Sequence, residues 1–315
     1  MLGPQWYTWF SINDKVISRG GIPSPIGPFG HPGAFGQAMA LTASAAIAYH
    51  LAVRRTPLTY VIVGLASLLA LASLRRKAIM GVVVACGVVL LRVRRTRGAA
   101  MTVLAVVIPV LVLASGDLFL TIWSDVYDEY ISGASTAARS LLYSTSFDIG
   151  LVNFPFGAGF GRFGTATAFD YYSPIYYEYG LNRNYGLAPV TGRFGTDTFW
   201  PAILGETGWI GVLGFAAGLF GIGRASSRLV GLAPSPHLRF LGLIGLAWSA
   251  DAVLESSASA VYTSTPHYLL LFVIFGMVAS ALRHSLSGDA AASDDSIERA
   301  TDPEREHVPG PVGVR

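Results

Sequence analysis

Residues 193–222 read RFGTDTFWPAILGETGWIGVLGFAAGLFGI, a polar knot that runs without a break into an apolar stretch. Between Trp200 and Ile222 the only ionisable residue is Glu206. A run of this length is enough to cross the hydrocarbon core of a bilayer as a helix, which takes about 17–25 residues. Arg193, Asp197 and Glu206 sit at its mouth, where charge is expensive, so each needs a functional or fastening role.

Six further apolar runs, at 34–53, 57–74, 78–92, 99–115, 239–257 and 266–283, bring the expected number of spans to about seven. Composition agrees: 52% of the 315 residues are hydrophobic and 13% are charged, against roughly 25% charged in soluble domains. The expected fold is an all-α polytopic membrane protein. It divides into an N-terminal loop (1–33), helices one to four (34–115), one large loop (116–198), helices five to seven (199–283) and a polar tail (284–315). The tail is too rich in Ala, Asp, Glu, Arg and Pro to bury a core, so disorder is expected there. The first 33 residues show no basic segment leading into an apolar stretch, hence no visible signal peptide. Cys86 is the single cysteine, which excludes a disulfide framework. The basic residues come in short clusters without interleaved aromatic platforms, which argues against nucleic acid as a partner.

Orientation follows from Lys and Arg in short turns. Arg54 and Arg55, then Arg92, Arg94, Arg95 and Arg97, then Arg224, Arg228 and Arg239, and finally Arg283 fall on one side of an alternating topology, the cytoplasmic side. The 116–198 loop is then exoplasmic. One exoplasmic turn breaks the rule: Arg75, Arg76 and Lys77. They either snorkel to lipid phosphate or hold an anionic ligand, for which arginine's planar fork is well suited.

Within the loop, Ser135 to Val152 reads as a helix carrying Arg139 near its start. Asp125, Asp128 and Glu129 precede it, a weak divalent-ion signal without histidine. The stretch NFPFGAGFGRFGTATAF from Asn153 has glycines at 157, 159, 161 and 164. No βαβ unit surrounds it, so it is no dinucleotide fingerprint, although glycine lets backbone amides approach an anion. The segment YYSPIYYEYGLNRNYG holds six tyrosines, as an interfacial belt or as a sugar platform.

Asp197, Thr198, nine intervening residues, then Gly208-Trp209-Ile210-Gly211 resembles the motif of the bacterial O-antigen ligase and Wzy-type polysaccharide polymerase superfamily, with Asp197 standing where that family has histidine. Arg139 followed by PFGAGFG from Pro155, SLRRKAI from Ser73, Arg19 with two glycines, and FGHPGAF from Phe29 resemble its other elements, with Gly33 where asparagine is usual. The resemblance covers about residues 15–282. Members typically have ten or more spans.

The resemblance implies a metal-independent, cofactor-free inverting glycosyltransferase of the bacterial inner membrane, active on its outer face. Its donor would be a glycan on a polyprenyl diphosphate and its acceptor a hydroxyl of a glycan or lipid. Fixed guanidinium groups would stabilise the departing diphosphate and a base would take the acceptor's proton. Arg139, Arg75 and Arg76, with Arg19, Arg162 and Arg193, are the anion contacts; Asp197 is the base. Asp197 serves equally well as the N-cap of the following helix, and Arg193 as its ion-pair partner. His267 is the alternative base. Glu206, about 900° of helix rotation beyond Asp197, points elsewhere and packs. Asp251 and Glu255, four apart, share a face and read as structural. A flippase-like export protein and an inactive, truncated family member are the alternatives.

Overall fold

A computed structural model describes residues 18–19, 22–93, 95–98, 101, 134–190, 194–232 and 235–301. The described chain is helical apart from a two-residue antiparallel hairpin, β1 (Ser18–Arg19) with β2 (Ile22–Pro23). The long helices are α1 (Pro32–Ala52), α2 (Pro57–Ala72), α3 (Arg76–Arg92), α4 (Ala134–Val152), α7 (Trp200–Leu232), α8 (Pro236–Ser256) and α9 (His267–Thr301). Between α4 and α7 lie two short turns of helix, α5 (Ala166–Asp170) and α6 (Ile175–Glu178).

Three starts repeat one local device, a capping residue followed by proline at the first helical position. His31 Nδ1 accepts the Gly33 N–H at 3.0 Å before Pro32, Ser235 Oγ accepts the Leu238 N–H at 3.3 Å before Pro236, and Thr56 precedes Pro57. Proline there loses no hydrogen bond and its fixed φ suits the helix.

Helices form where the apolar runs lie. Residues 200–232, 236–256 and 267–287 are each long and apolar enough to cross a membrane, and Pro57–Ala72 is a shorter apolar helix. The expected span at 99–115, apart from Met101, and the acidic stretch around Asp125 lie outside the described residues, as does the end of the tail. Helix α9 does not stop near 283: its backbone stays helical to Thr301.

Helix α8 is the hub, packed against α1, α3, α7 and α9. Its approach to α7 depends on small residues. A Cβ at Gly242 would stand 2.8 Å from Val230 Cγ2, and one at Gly245 would stand 2.7 Å from Ser226 Oγ. Without side chains in the way the backbones close up, and Leu229, Leu243, Val89 and Val278 fill the remaining space.

Helix α4 leans on α7, and the glycine-rich stretch after it is pinned to a break in α7. Gly208 has φ 66° and ψ −162°, a conformation essentially reserved for glycine. The carbonyls released by the break are taken by the loop: Ala158 N–H donates to Gly205 O at 2.8 Å and Gly159 N–H to Glu206 O at 3.0 Å. Glu206 Oε1, almost fully buried, accepts the Phe163 N–H at 3.2 Å and the Thr165 hydroxyl at 2.7 Å. Glu206 is thus a fastening residue.

The tyrosine-rich segment turns inward rather than forming a belt throughout. Tyr172 and Tyr176 stack with Phe163 and Phe169 in a small core beside α4, while Tyr171, Tyr177 and Tyr185 stay exposed. Tyr176 is fully buried, which pushes its hydroxyl pKa up. Its oxygen accepts the Gly164 N–H at 2.8 Å.

These contacts predict opposite responses from two glycines of one helix. At Gly208 a Cβ would collide with Pro155 O, on top of a backbone cost of about 1–3 kcal/mol. At Gly214 it would meet nothing within 4 Å. Thermal unfolding of the purified protein should show Gly208→Ala destabilised and Gly214→Ala unchanged or slightly stabilised, since alanine favours helix by about 1 kcal/mol.

Candidate functional site

The short segment after α8 collects bonds from three directions. Trp200 Nε1, at the start of α7, donates to Ser256 Oγ at 2.9 Å. Tyr143 of α4 donates its hydroxyl to Ser257 O at 2.8 Å. Lys77, in the first turn of α3, donates to Ala258 O at 2.9 Å and pairs with Glu255 Oε2 at 3.1 Å. One end of the bundle is thereby knitted together, and most of the described site residues gather around it.

The central contact is an ion pair. Arg139 Nη2 donates to Asp197 Oδ2 at 3.0 Å, joining α4 to the mouth of α7 across 58 residues of sequence. Both side chains are partly exposed, at 26% and 33%. Such a pair stabilises a fold by about 1 kcal/mol or less, so stability is a poor reason for it. Only one oxygen of Asp197 is engaged among the described residues. The Arg139 Nε is buried and has no bond among them. The pair thus presents an open carboxylate oxygen and unspent N–H donors side by side. Tyr143, one turn after Arg139, is pushed up in pKa by burial and opposed by the Arg139 charge, so it serves as a hydroxyl donor.

Asp197 does not cap α7. Phe199 O accepts the Ile203 N–H at 3.1 Å, which puts the cap position at Phe199, while the Asp197 carboxylate goes to Arg139. The pairing partner expected four residues upstream, Arg193, lies outside the described residues.

The turn before α3 is built under strain. Ser73 Oγ donates to Ala70 O at 2.6 Å and accepts the Arg75 N–H at 3.3 Å. Leu74 between them has φ 52°, a left-handed conformation that costs a residue with a Cβ about 1–2 kcal/mol. The turn also presses on α1, where a Cβ at Gly36 would stand 2.7 Å from Ser73 Oγ. Its product is the placement of Arg75, whose Nη2 lies 3.4 Å from His31 Nε2. His31 Nδ1 already accepts from Gly33, so a neutral ring carries its proton on Nε2. Two N–H donors therefore converge, an arrangement that suits a shared anion.

The basic turn does not act as one cluster. Lys77 is committed to Glu255 and Ala258, so it neither snorkels nor waits for a ligand. The side chains of Arg76 and Arg19 lie outside the described residues. Arg162 is exposed on the glycine loop and donates to Ala158 O at 3.3 Å. Glu206 does not join the Arg139–Asp197 pair. Asp251, fully buried, accepts from Gln37 Nε2 at 3.3 Å, so α8's acidic face is tied to α1 through Asp251 and to α3 through Glu255. Among the described residues no three His, Cys, Asp or Glu side chains gather to hold a metal ion.

An apolar groove of about 610 Å³ runs between α1 and α2, with Trp248 of α8 and His267 and Leu270 of α9 along its wall. Phe29 closes one end, stacked on His267 with ring centroids 5.7 Å apart. His267 is therefore a buried wall residue of the groove. Phe29 is two residues from His31, so that end of the groove adjoins the Arg75–His31 donors.

Apolar membrane-crossing helices, a loop unit docked on a broken helix and a half-exposed Arg–Asp pair at their junction define a multi-pass membrane protein with a polar site at one end of its bundle. A family model described as O-antigen ligase matches residues 61–216, from α2 through the loop unit into α7. No curated protein matches the chain.

Lys77 and Glu255 make a test of how the site end is held. Glu255 is buried, so Lys77→Met leaves an uncompensated charge and should cost about 3–5 kcal/mol. Thermal unfolding should show Lys77→Met/Glu255→Leu to be more stable than Lys77→Met alone, because the double variant removes both charges.

Proposed function

We propose that the protein transfers a glycan from a polyprenyl diphosphate to an acceptor hydroxyl at the outer face of the bacterial cytoplasmic membrane. The observation that carries this reading is the Arg139–Asp197 pair within the segment matched by the O-antigen ligase family. The groove adds support, because an apolar channel whose end adjoins two N–H donors suits a lipid bearing a diphosphate.

In this mechanism the acceptor oxygen attacks the anomeric carbon with inversion. The bond from that carbon to the phosphate oxygen breaks, and its electron pair leaves with the diphosphate. The hydroxyl proton passes to the Asp197 carboxylate and from there to water. Arg139 and Arg75 hold the departing charge, with Arg76, Arg19, Arg162 and Arg193 as further contacts to the donor. Guanidinium groups already in place when the bond breaks stabilise such charge without reorganising in that step. Diphosphate binding also draws Arg139 away from Asp197, which frees the carboxylate to accept the proton. An acceptor of either kind, glycan or lipid, fits this chemistry, so polymerase and ligase share one mechanism here.

The test is turnover of a purified, bilayer-reconstituted enzyme supplied with a glycan polyprenyl diphosphate, read as release of the lipid diphosphate. Asp197→Asn keeps the shape but cannot accept the proton, and should lose on the order of 10²-fold or more in turnover. Near-normal turnover of Asp197→Asn would end the assignment of the base and transfer attention to His267. Arg75→Ala should raise the donor concentration needed, and Arg75→Lys should recover part of it, since a point charge lacks the fork. No release by the wild-type protein would favour the inactive or transport reading.

A further inference from the structure

The end of α4 and the loop that docks on the broken helix carry a run of exposed apolar side chains. Leu151, Val152, Phe154, Phe156 and Phe160 are 63%, 76%, 69%, 69% and 86% exposed. Three aromatic rings in water within seven residues are costly, and large exposed apolar patches mark an interaction surface.

The height of this loop along α7 identifies what covers it. Arg224 is the first charged residue below Glu206 in α7 and is exposed. Fourteen residues separate it from Ile210, about 21 Å of helix. A hydrocarbon core is about 30 Å thick, so Ile210 lies within it when Arg224 marks the far boundary. Ile210, Leu213 and Phe220 are exposed, as a lipid-facing band requires. Pro155 O accepts the Ile210 N–H at 3.4 Å, and Phe147 of α4 packs on Trp209 with ring centroids 5.7 Å apart. The aromatic loop therefore sits at the level of the hydrocarbon.

Most of its backbone suits that surrounding. Irregular chain tolerates lipid only when its polar groups are satisfied within the protein. Phe156 and Gly157 N–H both donate to Asn153 O, at 3.0 and 3.1 Å. The amides of Ala158 and Gly159 go to α7, those of Phe163 and Gly164 go to Glu206 and Tyr176, and Pro155 has none to satisfy. Asp148, the acid in this half of α4, is exposed, and its charge adds to the burial that raises the pKa of Tyr179 in the loop unit.

We infer that residues 151–160 form a re-entrant aromatic wedge immersed in the leaflet on the loop's side, with lipid acyl chains as its partner. The wedge fixes the height of the loop unit, and with it Arg139, above the bilayer. The inference concerns a lipid contact and stands apart from the reaction proposed for Asp197.

Nitroxide labels on Phe160→Cys and Phe156→Cys, each in a Cys86→Ala background of the full chain, test it in nanodiscs that hold one copy. Collision with oxygen and with water-soluble Ni(II)-EDDA reports immersion. Both labels should match a label at Leu213→Cys, rich in oxygen collisions and poor in Ni(II)-EDDA collisions. Both surface sites lie outside the packed core, and each checks the other. Ni(II)-EDDA collisions as frequent as at Glu178→Cys, an exposed site on the loop unit, would overturn the wedge. So would shielding from both reagents, or protection that appears only in discs holding two copies, which would make the face a protein interface.

Discussion

The site depends on a backbone contact between two glycines. At Gly157 a Cβ would fall 2.6 Å from Gly208 N, so the loop and the broken helix meet main chain to main chain. A break in an apolar helix leaves carbonyls without partners, and each costs several kcal/mol in lipid. The loop amides repay that cost, and in doing so they lock α4 in register with α7. Arg139 and Asp197 lie at the other end of this clamp. Their 3.0 Å contact follows from a register set eleven residues away along α7 and eighteen away through the loop and α4.

The rest of the bundle brings a second strand of support to the same end. Glu255 is buried and charged, so the fold must supply a cation, and Lys77 of α3 does so. Asp251, one turn earlier, approaches the backbone of α3 so closely that a Cβ at Gly81 would stand 2.5 Å from its Oδ1. Gln37 holds the other oxygen from α1. Buried ion pairs add little net stability, but removing one partner is severe. Their effect here is on specificity of arrangement: α1, α3 and α8 can meet in one register only, and that register carries the Arg75 turn.

Much of this was legible in the amino-acid sequence because it is local. Apolar runs and cap–proline pairs define the helices, and the spacing from Asp197 to Gly208 and Gly211 singles out the mouth of α7. The pairing of charges was not legible. Lys77 and Glu255 are 178 residues apart and Thr165 and Glu206 are 41 apart, and no periodicity connects such partners. The tyrosine segment misled for a different reason: an aromatic with a polar tip suits a membrane interface and a small core equally, and only Tyr176's bond to Gly164 distinguishes them. The N-cap reading of Asp197 failed because Arg139, far upstream, offers the carboxylate a charge where the helix offers a dipole.

The weakness of the Arg139–Asp197 contact is consistent with the proposed chemistry. A deeply buried, bidentate pair would hold its partners too firmly for either to meet a substrate. This one is single-pointed and partly wet, so the exchange of a carboxylate for a diphosphate on Arg139 costs little. Arg75 differs. It is placed by the strained Leu74 and the tight contact of its turn with Gly36, so its position is fixed by the backbone. A site that must gather a leaving anion and release a base at the same step needs both kinds of arginine, one held and one free to move.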